Sequence, residues 1–392
     1  MIDIPVVDSP DVLNRLLLEF RPLFGRRQFR QFCRYIVSGI ASSTRSSAHL
    51  NGIFVEHTNQ SNLNRFLRNI PADGIFNISC SLINRNCSGP VLSLDDTILQ
   101  RNGKHIDGAQ WIYDHSQGKT VYGMQYTTSV ISGNEGIFPL SMELKTDDSK
   151  IDLQINTIKK AMGAGLRFST VVFDSWYFSS KLVKFLESMG KDYVSEAKSN
   201  RTVCIDGKWI RLRDYANTLD LKSMKSYTVN GKTYFMKAIT TRMKNAGIVK
   251  VIVSRRINSL KFFVTNRTDW KVKTIIGKYL RRWDIEVFHE ELKQDGLKHL
   301  YQRKHATLLG TAKMSLLGEL LLEISAINSM GNHLKIRKGT PEPRHKQVAI
   351  SILTDLFKAI ENKGRSFLDA ILKSIEEPYR STRNIYGGAI NS

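Results

Sequence analysis

The hydrophobic periodicities between Pro90 and Ala197 come in an order that few folds accommodate. PVLSLDDT (Pro90 to Thr97) is a short apolar run that ends in two acids. KTVYGMQYTTSVIS (Lys119 to Ser132) alternates as a strand does. GNEG (Gly133 to Gly136) is a turn, and IFPLSMEL (Ile137 to Leu144) is a third strand. From Ser149 the spacing changes: Ile151, Ile155 and Ile158 recur at helical intervals until Gly163. FSTVVFD (Phe168 to Asp174) reads as a buried strand ending in an acid, Tyr177 to Met189 as a helix, and Lys191 to Ala197 as a further strand. Three meandering strands followed by alternating helices and strands predict an α/β domain, a mixed sheet with helices on both faces.

The flanking segments have other characters. Asp206-Gly207 and Asn230-Gly231 are hairpin turns between short strand-like runs, and Gly247 to Ser254 and Lys261 to Asn266 are further strands. Residues 199–266 are therefore expected to form a β-rich insertion within a core made of 89–198 and 267–305. Residues 1–88 read as a helical DNA-binding region that starts at Ser9-Pro10-Asp11, a cap followed by Pro at the first helical position. Within it, His57 to Asn69 predicts a short helix capped by Asn59 or Ser61. Leu63, Phe66 and Leu67 would point inward, and Asn62, Arg65 and Arg68 outward. Such a helix suits a helix-turn-helix reader or the basic surface of a small helical domain, and phosphate contact by Arg65 and Arg68 serves both. Residues 306–392 are expected to be helical. They hold an apolar stretch at Leu316 to Ile327, a basic connector at Lys335 to Lys346 and a frayed end from Tyr379.

Charge narrows the partner. A net charge of +22 and a pI near 9.8 call for a polyanion. No apolar run of 18 residues exists and no polybasic anchor is found, so no membrane partner is expected. The acidic start, MIDIPVVDSPD, has no signal-peptide pattern. Cys33, Cys80, Cys87 and Cys204 are scattered without a CxxC. This argues against a zinc or disulfide framework and for a reducing cytoplasm, with the nucleoid as the place of action.

KYLRRWDIEVFHEELKQDGLKH (Lys278 to His299) reads as one long amphipathic helix. With Tyr279 at 0°, Arg282 falls near ~300°, Glu286 near ~340° and Lys293 near ~320°. Ile276, Leu280, Trp283 and Val287 form an adjacent apolar stripe expected to dock on the core. Glu290, near ~20°, shares the polar stripe, so the face alone does not single out Glu286. Three acids then stand at suggestive places: Asp95 or Asp96 at the end of one strand, Asp174 at the end of another, and Glu286 on this helix. Oxygen ligands of this kind suit hard divalent cations. Two such ions promote in-line phosphoryl displacement.

At these residues the chain resembles the DDE transposases of bacterial and archaeal insertion sequences, whose catalytic domain is ribonuclease H-like. Tyr279, Arg282, Glu286 and Lys293 meet the Y-x2-R-x3-E-x6-K signature of one group in full. DDT at Asp95-Asp96-Thr97 and VVFDSWY around Asp174 resemble its two aspartate motifs, and the resemblance extends over roughly residues 55 to 305. It implies a transposase that binds the terminal inverted repeats of its element and cuts them, by cut-and-paste. It would join the ends to target DNA with two Mg²⁺ (or Mn²⁺) ions, working as a homodimer in a synaptic complex. Asp96, Asp174 and Glu286 would be the catalytic metal ligands. Asp96 is preferred because the family's acid directly precedes the threonine, and Asp95 would then pair with a basic residue behind the strand. Tyr279, Arg282 and Lys293 would hold DNA phosphates. A flipped base would find a platform at Trp209, Phe262, Phe263 or Trp270, and His115 and Trp176 would line the rim, although packing is the commoner role of such side chains. An immobile DNA-binding regulator and a stand-alone ribonuclease H-like nuclease are the alternatives. The intact acid triad argues against the first, and the long basic helical flanks and the insertion against the second.

Overall fold

The computed structural model describes residues 5–373 apart from 43, 104, 116, 258, 300–301 and 331–341, and structural statements refer to those residues. Five helices come first: α1 (Asp11–Glu19), α2 (Arg26–Ala41), α3 (Ser47–Gly52), α4 (Ser61–Arg68) and α5 (Ala72–Asn86). Then follow β1 (Val91–Gln100), β2 (Gln110–Asp114), β3 (Lys119–Ser132), β4 (Ile137–Leu144), α6 (Lys150–Gly163), β5 (Thr170–Phe173), α7 (Ser180–Ser188) and β6 (Asp192–Ala197). The expected strand and helix order is all there. β2 is added, a short arm paired to β3 that carries the exposed Trp111 and Tyr113.

β4 pairs antiparallel with β3, β3 antiparallel with β1, β1 parallel with β5, and β5 parallel with β6. This is the ribonuclease H-like arrangement. β1 does not stop at its acids, because β3 goes on pairing with it as far as Gln100↔Gly123. Its parallel pairing with β5 does stop, at Leu94↔Phe173, immediately before Asp95. The two acids therefore lie where the parallel ladder ends.

The β-rich stretch continues this sheet. It contains β7 (Thr202–Ile205), β8 (Lys208–Arg211), α8 (Leu212–Thr218), β9 (Lys225–Val229), β10 (Lys232–Met243), β11 (Gly247–Arg256) and β12 (Ser259–Thr265). β12 pairs antiparallel with β6, so core and insertion form one twelve-stranded sheet. Asp206 and Asn230 take positive φ at the two hairpin turns, as their Gly partners do.

The long helix differs from expectation. It is two helices, α9 (Val272–Leu280) and α10 (Trp283–Gln294). Between them the ladder tightens to i→i+3 bonds: Arg282 N to Tyr279 O at 2.9 Å and Ile285 N to Arg282 O at 3.2 Å. The carbonyl of Arg281 accepts from Ser93 Oγ (3.3 Å), and its guanidinium donates to Gly133 O (2.7 Å), tying the junction to the sheet. The tightened turn rotates the buried face. Ile275 and Ile276 are buried before it and Ile285, Phe288 and Leu292 after it, whereas Leu280 and Trp283 are 39% and 61% exposed. The stripe expected from an unbroken helix is thus not the docking face. α10 lies on the same sheet face as Leu99, Met124 and Tyr126, and α6 and α7 cover the opposite face.

Beyond α10 come α11 (His305–Met330) and α12 (Glu342–Lys363), and residues 365–373 are helical again after a break at Gly364. α12 occupies the final residues of the expected connector; the rest of that connector and the tail from Tyr379 lie largely or wholly outside the described residues. α11 crosses β4 and also packs on α2 and α4, so the N-terminal helices and the sheet share one hydrophobic core. α4 buries Leu63, Phe66 and Leu67 as expected, with Asn59 Oδ1 accepting from Ser61 N at its start. α4 and α11 meet so closely that a Cβ on Gly310 would lie 1.9 Å from the carbonyl oxygen of Leu67. Neither backbone can yield locally. Gly310→Ala is expected to lower stability by about 2–3 kcal/mol, read as a fall in the urea midpoint; an unchanged midpoint would mean that the two helices separate freely.

His289, on α10, is buried with Nε2 2.6 Å from Thr128 Oγ1. Burial, with the charges of Lys293 and Arg282 added, pushes its pKa down to about 3. The unfolded chain binds a proton near pH 6.5 that the folded chain refuses. This group's contribution is therefore complete above pH ~6.5 and is lost as pH falls towards 3, by at most about 1.4 kcal/mol per pH unit. Denaturant titrations at pH 7.5, 5.5 and 4.5 should show less of this decline in His289→Gln than in the parent chain.

Candidate active site

β1 decides which acid faces which layer. Ser93, Asp95, Thr97 and Leu99 alternate onto the α10 face, and Leu94 and Asp96 onto the α6 face. Asp95 Oδ2 lies 3.2 Å from Arg282 Nη1, and Arg282 Nη2 grips Glu286 Oε1. One guanidinium thus joins a strand acid to a helix acid one turn further along α10. Asp95 Oδ1 accepts the backbone N–H of Asp96 at 2.8 Å. Burial raises the Asp95 carboxyl to about 7, against the pull of that N–H bond, and the negative charge of Asp174 adds to the rise.

Asp174 directly follows β5, the parallel neighbour of β1. Its Oδ1 accepts the backbone N–H groups of Trp176 (2.9 Å) and Tyr177 (3.1 Å), which fixes the turn into α7. Asp95, Asp174, Arg282 and Glu286 therefore gather at one edge. Glu286 is half-buried there, whereas Glu290 is exposed, a distinction that the helical angles did not make. The donors are carboxylate oxygens only, the set that hard divalent ions prefer. Burial first, and the negative charge of Asp174 second, disfavour the ionised Asp95 carboxyl, and a bound cation would offset both. The carboxylates are not drawn into a tight three-ligand cage, since Arg282 stands between two of them. Asp95, Asp174 and Glu286 have the donor chemistry to hold a hard divalent cation, and Arg282 supplies the positive charge between two of them here.

Asp96, the expected first ligand, points the other way. Lys150 Nζ (2.8 Å) and Tyr177 Oη (3.1 Å) reach its Oδ1, and Gln125 Nε2 (2.7 Å) its Oδ2. Lys150 also sits 3.6 Å above the Trp176 ring. It is Asp96, not Asp95, that has the basic partner behind the strand. Lys150, Tyr177 and Gln125 were not singled out from the sequence. No spacing rule connects them to Asp96, because they come from three other elements.

The remaining candidates are spread more widely. Tyr279 Oη donates to Glu196 Oε2 (3.2 Å), its ring edge meets Phe263, and Arg282 lies 5.8 Å from it. Lys293, in the last turn of α10, is half-buried. Burial, with Lys298 nearby, lowers its pKa. Arg65 and Arg68 are exposed on α4, where Arg65 donates to Asn62 Oδ1 (2.8 Å). Phe262 and Phe263 are buried, Trp270 lies under Arg267 and Lys278, and Trp209 is exposed on β8. His115 packs edge-on against Tyr113 in the β2–β3 arm.

Comparison with known proteins identifies the family. The family model described as Transposase DDE domain matches residues 86–314, well over half of the chain, and spans all the strands and the helices that carry the acids. A comparison with curated proteins finds no match. Among solved structures, a Drosophila P element transposase strand transfer complex is similar at 11% identity and a TM-score of 0.25, with 89% of this chain and 87% of that one covered. That likeness is too slight to argue from. With the family match added to a ribonuclease H-like sheet that gathers Asp95, Asp174 and Glu286, the chain belongs to the transposase DDE domain family and is a DDE-type DNA transposase.

Proposed function

We propose that this transposase binds the terminal inverted repeats of an insertion sequence, cleaves its ends and joins them to target DNA by cut-and-paste, acting as a homodimer at the nucleoid. The observation that carries the catalytic part is the shared guanidinium: Arg282 pairs with Glu286 on its own helix and with Asp95, 187 residues from it in sequence, where the charge of Asp174 is also felt. We take Asp95, Asp174 and Glu286 as the metal ligands, with Asp95 in place of the Asp96 that motif spacing favours. Two divalent ions, Mg²⁺ or Mn²⁺, supply activation of the attacking water or 3′-hydroxyl and stabilisation of the leaving oxygen when bound there. Asp95, Asp174 and Glu286 would hold such ions, and Arg282, now paired with Asp95 and Glu286, would then be available to clamp a phosphate at the same edge. Tyr279 and Lys293 extend that clamp along α9 and α10. Asp96 positions the strand through Lys150, Tyr177 and Gln125 without touching the reacting phosphate. The helical region 1–88, with Arg65 and Arg68 exposed, supplies sequence-independent grip on the end DNA. The high positive charge of the whole chain suits two long DNA partners.

Asp95→Asn, Asp174→Asn and Glu286→Gln are each expected to reduce Mg²⁺-dependent end cleavage by about 10³-fold or more while end binding by gel shift stays within about twofold. Asp96→Asn is expected to keep cleavage far above those three. A reversed result, with Asp95→Asn active and Asp96→Asn dead, would return the first ligand to Asp96. Lys293→Ala, Arg65→Ala and Arg68→Ala should each reduce the slope of log K against log salt by about 0.9, and any variant with an unchanged slope has no phosphate contact to lose. Products joined to a target plasmid distinguish a transposase that completes strand transfer from a nuclease that stops at cleavage.

A further inference from the structure

A second group of ionisable side chains lies away from the acids discussed so far. It sits where the end of α10, the middle of α11 and the start of α12 meet. Asp295 caps the C-terminal end of α10, Glu319 projects from α11 and His345 from α12. Their ligand atoms all lie within 4.8 Å of one another. The side chains of Asp295 and Glu319 are only 6% and 4% exposed, and that of His345 10%.

Three features indicate that something is missing from this group. The first is unmet bonding: Asp295 Oδ2, Glu319 Oε2 and His345 Nε2 are buried without a hydrogen-bond partner. Nε2 lies 3.2 Å from Asp295 Oδ1, the distance of an ion pair when the imidazole is protonated. The second is the imidazole's other nitrogen, Nδ1, 3.1 Å from the carbonyl oxygen of Ile40. A carbonyl only accepts, so Nδ1 carries the proton. Nε2 is then the nitrogen that faces the two carboxylates, and with Nδ1–H held by a carbonyl it is the one free to ligate, which is how a ligating histidine is oriented. The third is charge. Glu291, Asp295, Glu319 and Glu323 are all buried here, with Arg344 and Arg45 as the buried guanidiniums. Arg344 is engaged by Glu291 (3.1 Å) and Glu323 (3.1 Å), and stands off from Glu319 at 3.7 Å. Arg45 is spent on Ser315 Oγ (3.0 Å) and on the carbonyl oxygens of Ser42 and Thr44. Among the described residues, four carboxyl groups meet two guanidiniums here, so the group is rich in acidic oxygen ligands.

We propose that Asp295, Glu319 and His345 form a structural site for a single divalent transition cation of the zinc type, distinct from the catalytic acids. Carboxylate oxygen and imidazole nitrogen are both ligand types that such an ion takes, and three of them would leave one tetrahedral position for water. The ligands come from three helices whose chain positions span 295 to 345, so the ion pins the helix that bears Glu286 to the C-terminal helices. The proposal does not depend on the DNA chemistry, because none of its ligands belongs to the catalytic set.

The test uses the full chain carrying Asp174→Asn, which disables the catalytic cluster, after dialysis against a chelator. Titration with Zn²⁺ followed by calorimetry is expected to give one tight site, and Zn²⁺ at about 100 times its Kd should raise Tm by about 3–5 °C. Substituted Co²⁺ should show the intense visible bands of a four-coordinate ion. Adding His345→Gln, or the near-isosteric Asp295→Asn, is expected to weaken binding by about 100-fold or more and to abolish the cobalt bands. Far-UV circular dichroism identifies a variant that fails to fold, in which case the other decides. The proposal is overturned if the parent chain binds no Zn²⁺ tightly, which would mean that a shared proton alone satisfies the carboxylates. Undiminished binding in both folded variants would overturn it as well.

Discussion

The contact on which the active edge depends is the double grip of Arg282 on Asp95 and Glu286. The Arg282 and Asp95 side chains are largely buried. Burying such groups costs several kcal/mol per charge and is tolerable only where each charge meets a partner. Asp95 is packed beside Asp174, and without the guanidinium two neighbouring carboxylates would face each other in a poorly solvated cleft. The raised Asp95 carboxyl reflects its burial first and the nearby charge of Asp174 second. A site poised to receive cations is held together meanwhile by a cation of its own, and the same group is suited to a phosphate once the acids are otherwise engaged.

Everything around this contact positions its three parts. The β1–β5 parallel ladder ends at Leu94↔Phe173 and so releases Asp95 and Asp174 side by side. The tightened turn at Arg281 and Arg282 is bonded to Ser93 and Gly133 of the sheet, which fixes the azimuth of α10. Behind the strand, Lys150 neutralises Asp96 and caps the Trp176 ring, so the opposite face carries its own balanced pair. At the far end of α10, Asp295, Glu319 and His345 meet α11 and α12, so the helix that offers Glu286 has a polar, charged attachment at its far end as well as an apolar one along its side.

Much of the fold was legible from residue order. β3 and β4 coincide with the alternating runs, Ser149 caps α6 through the Asp152 N–H as its position suggested, and the two X-Gly turns are the hairpins of the β-rich stretch. β2 was not legible. Its outward aromatic residues carry no alternation, and only its pairing with β3 makes it a strand. The single long helix failed for a related reason. Arg281 and Arg282 are good helix formers, so nothing local signals the tightened turn that bonds to the sheet impose.

The sequence by itself determined the periods of the elements, their order and which acids lie near strand ends and on α10. These follow from side-chain spacing and turn chemistry, which are local. It also showed that Asp95 and Asp96 face opposite ways, since a strand alternates. Only the tertiary structure decided which of them meets Arg282 and Glu286. Alternation fixes the difference between two faces but not the layer that covers each, and that layer comes from residues almost two hundred positions away. The same holds for Glu286 over Glu290 as a partner of the strand acids, and for the buried meeting of Asp295, Glu319 and His345. Helical angles relate residues to their own axis, and only the packing of one helix on its neighbours determines what that face encounters.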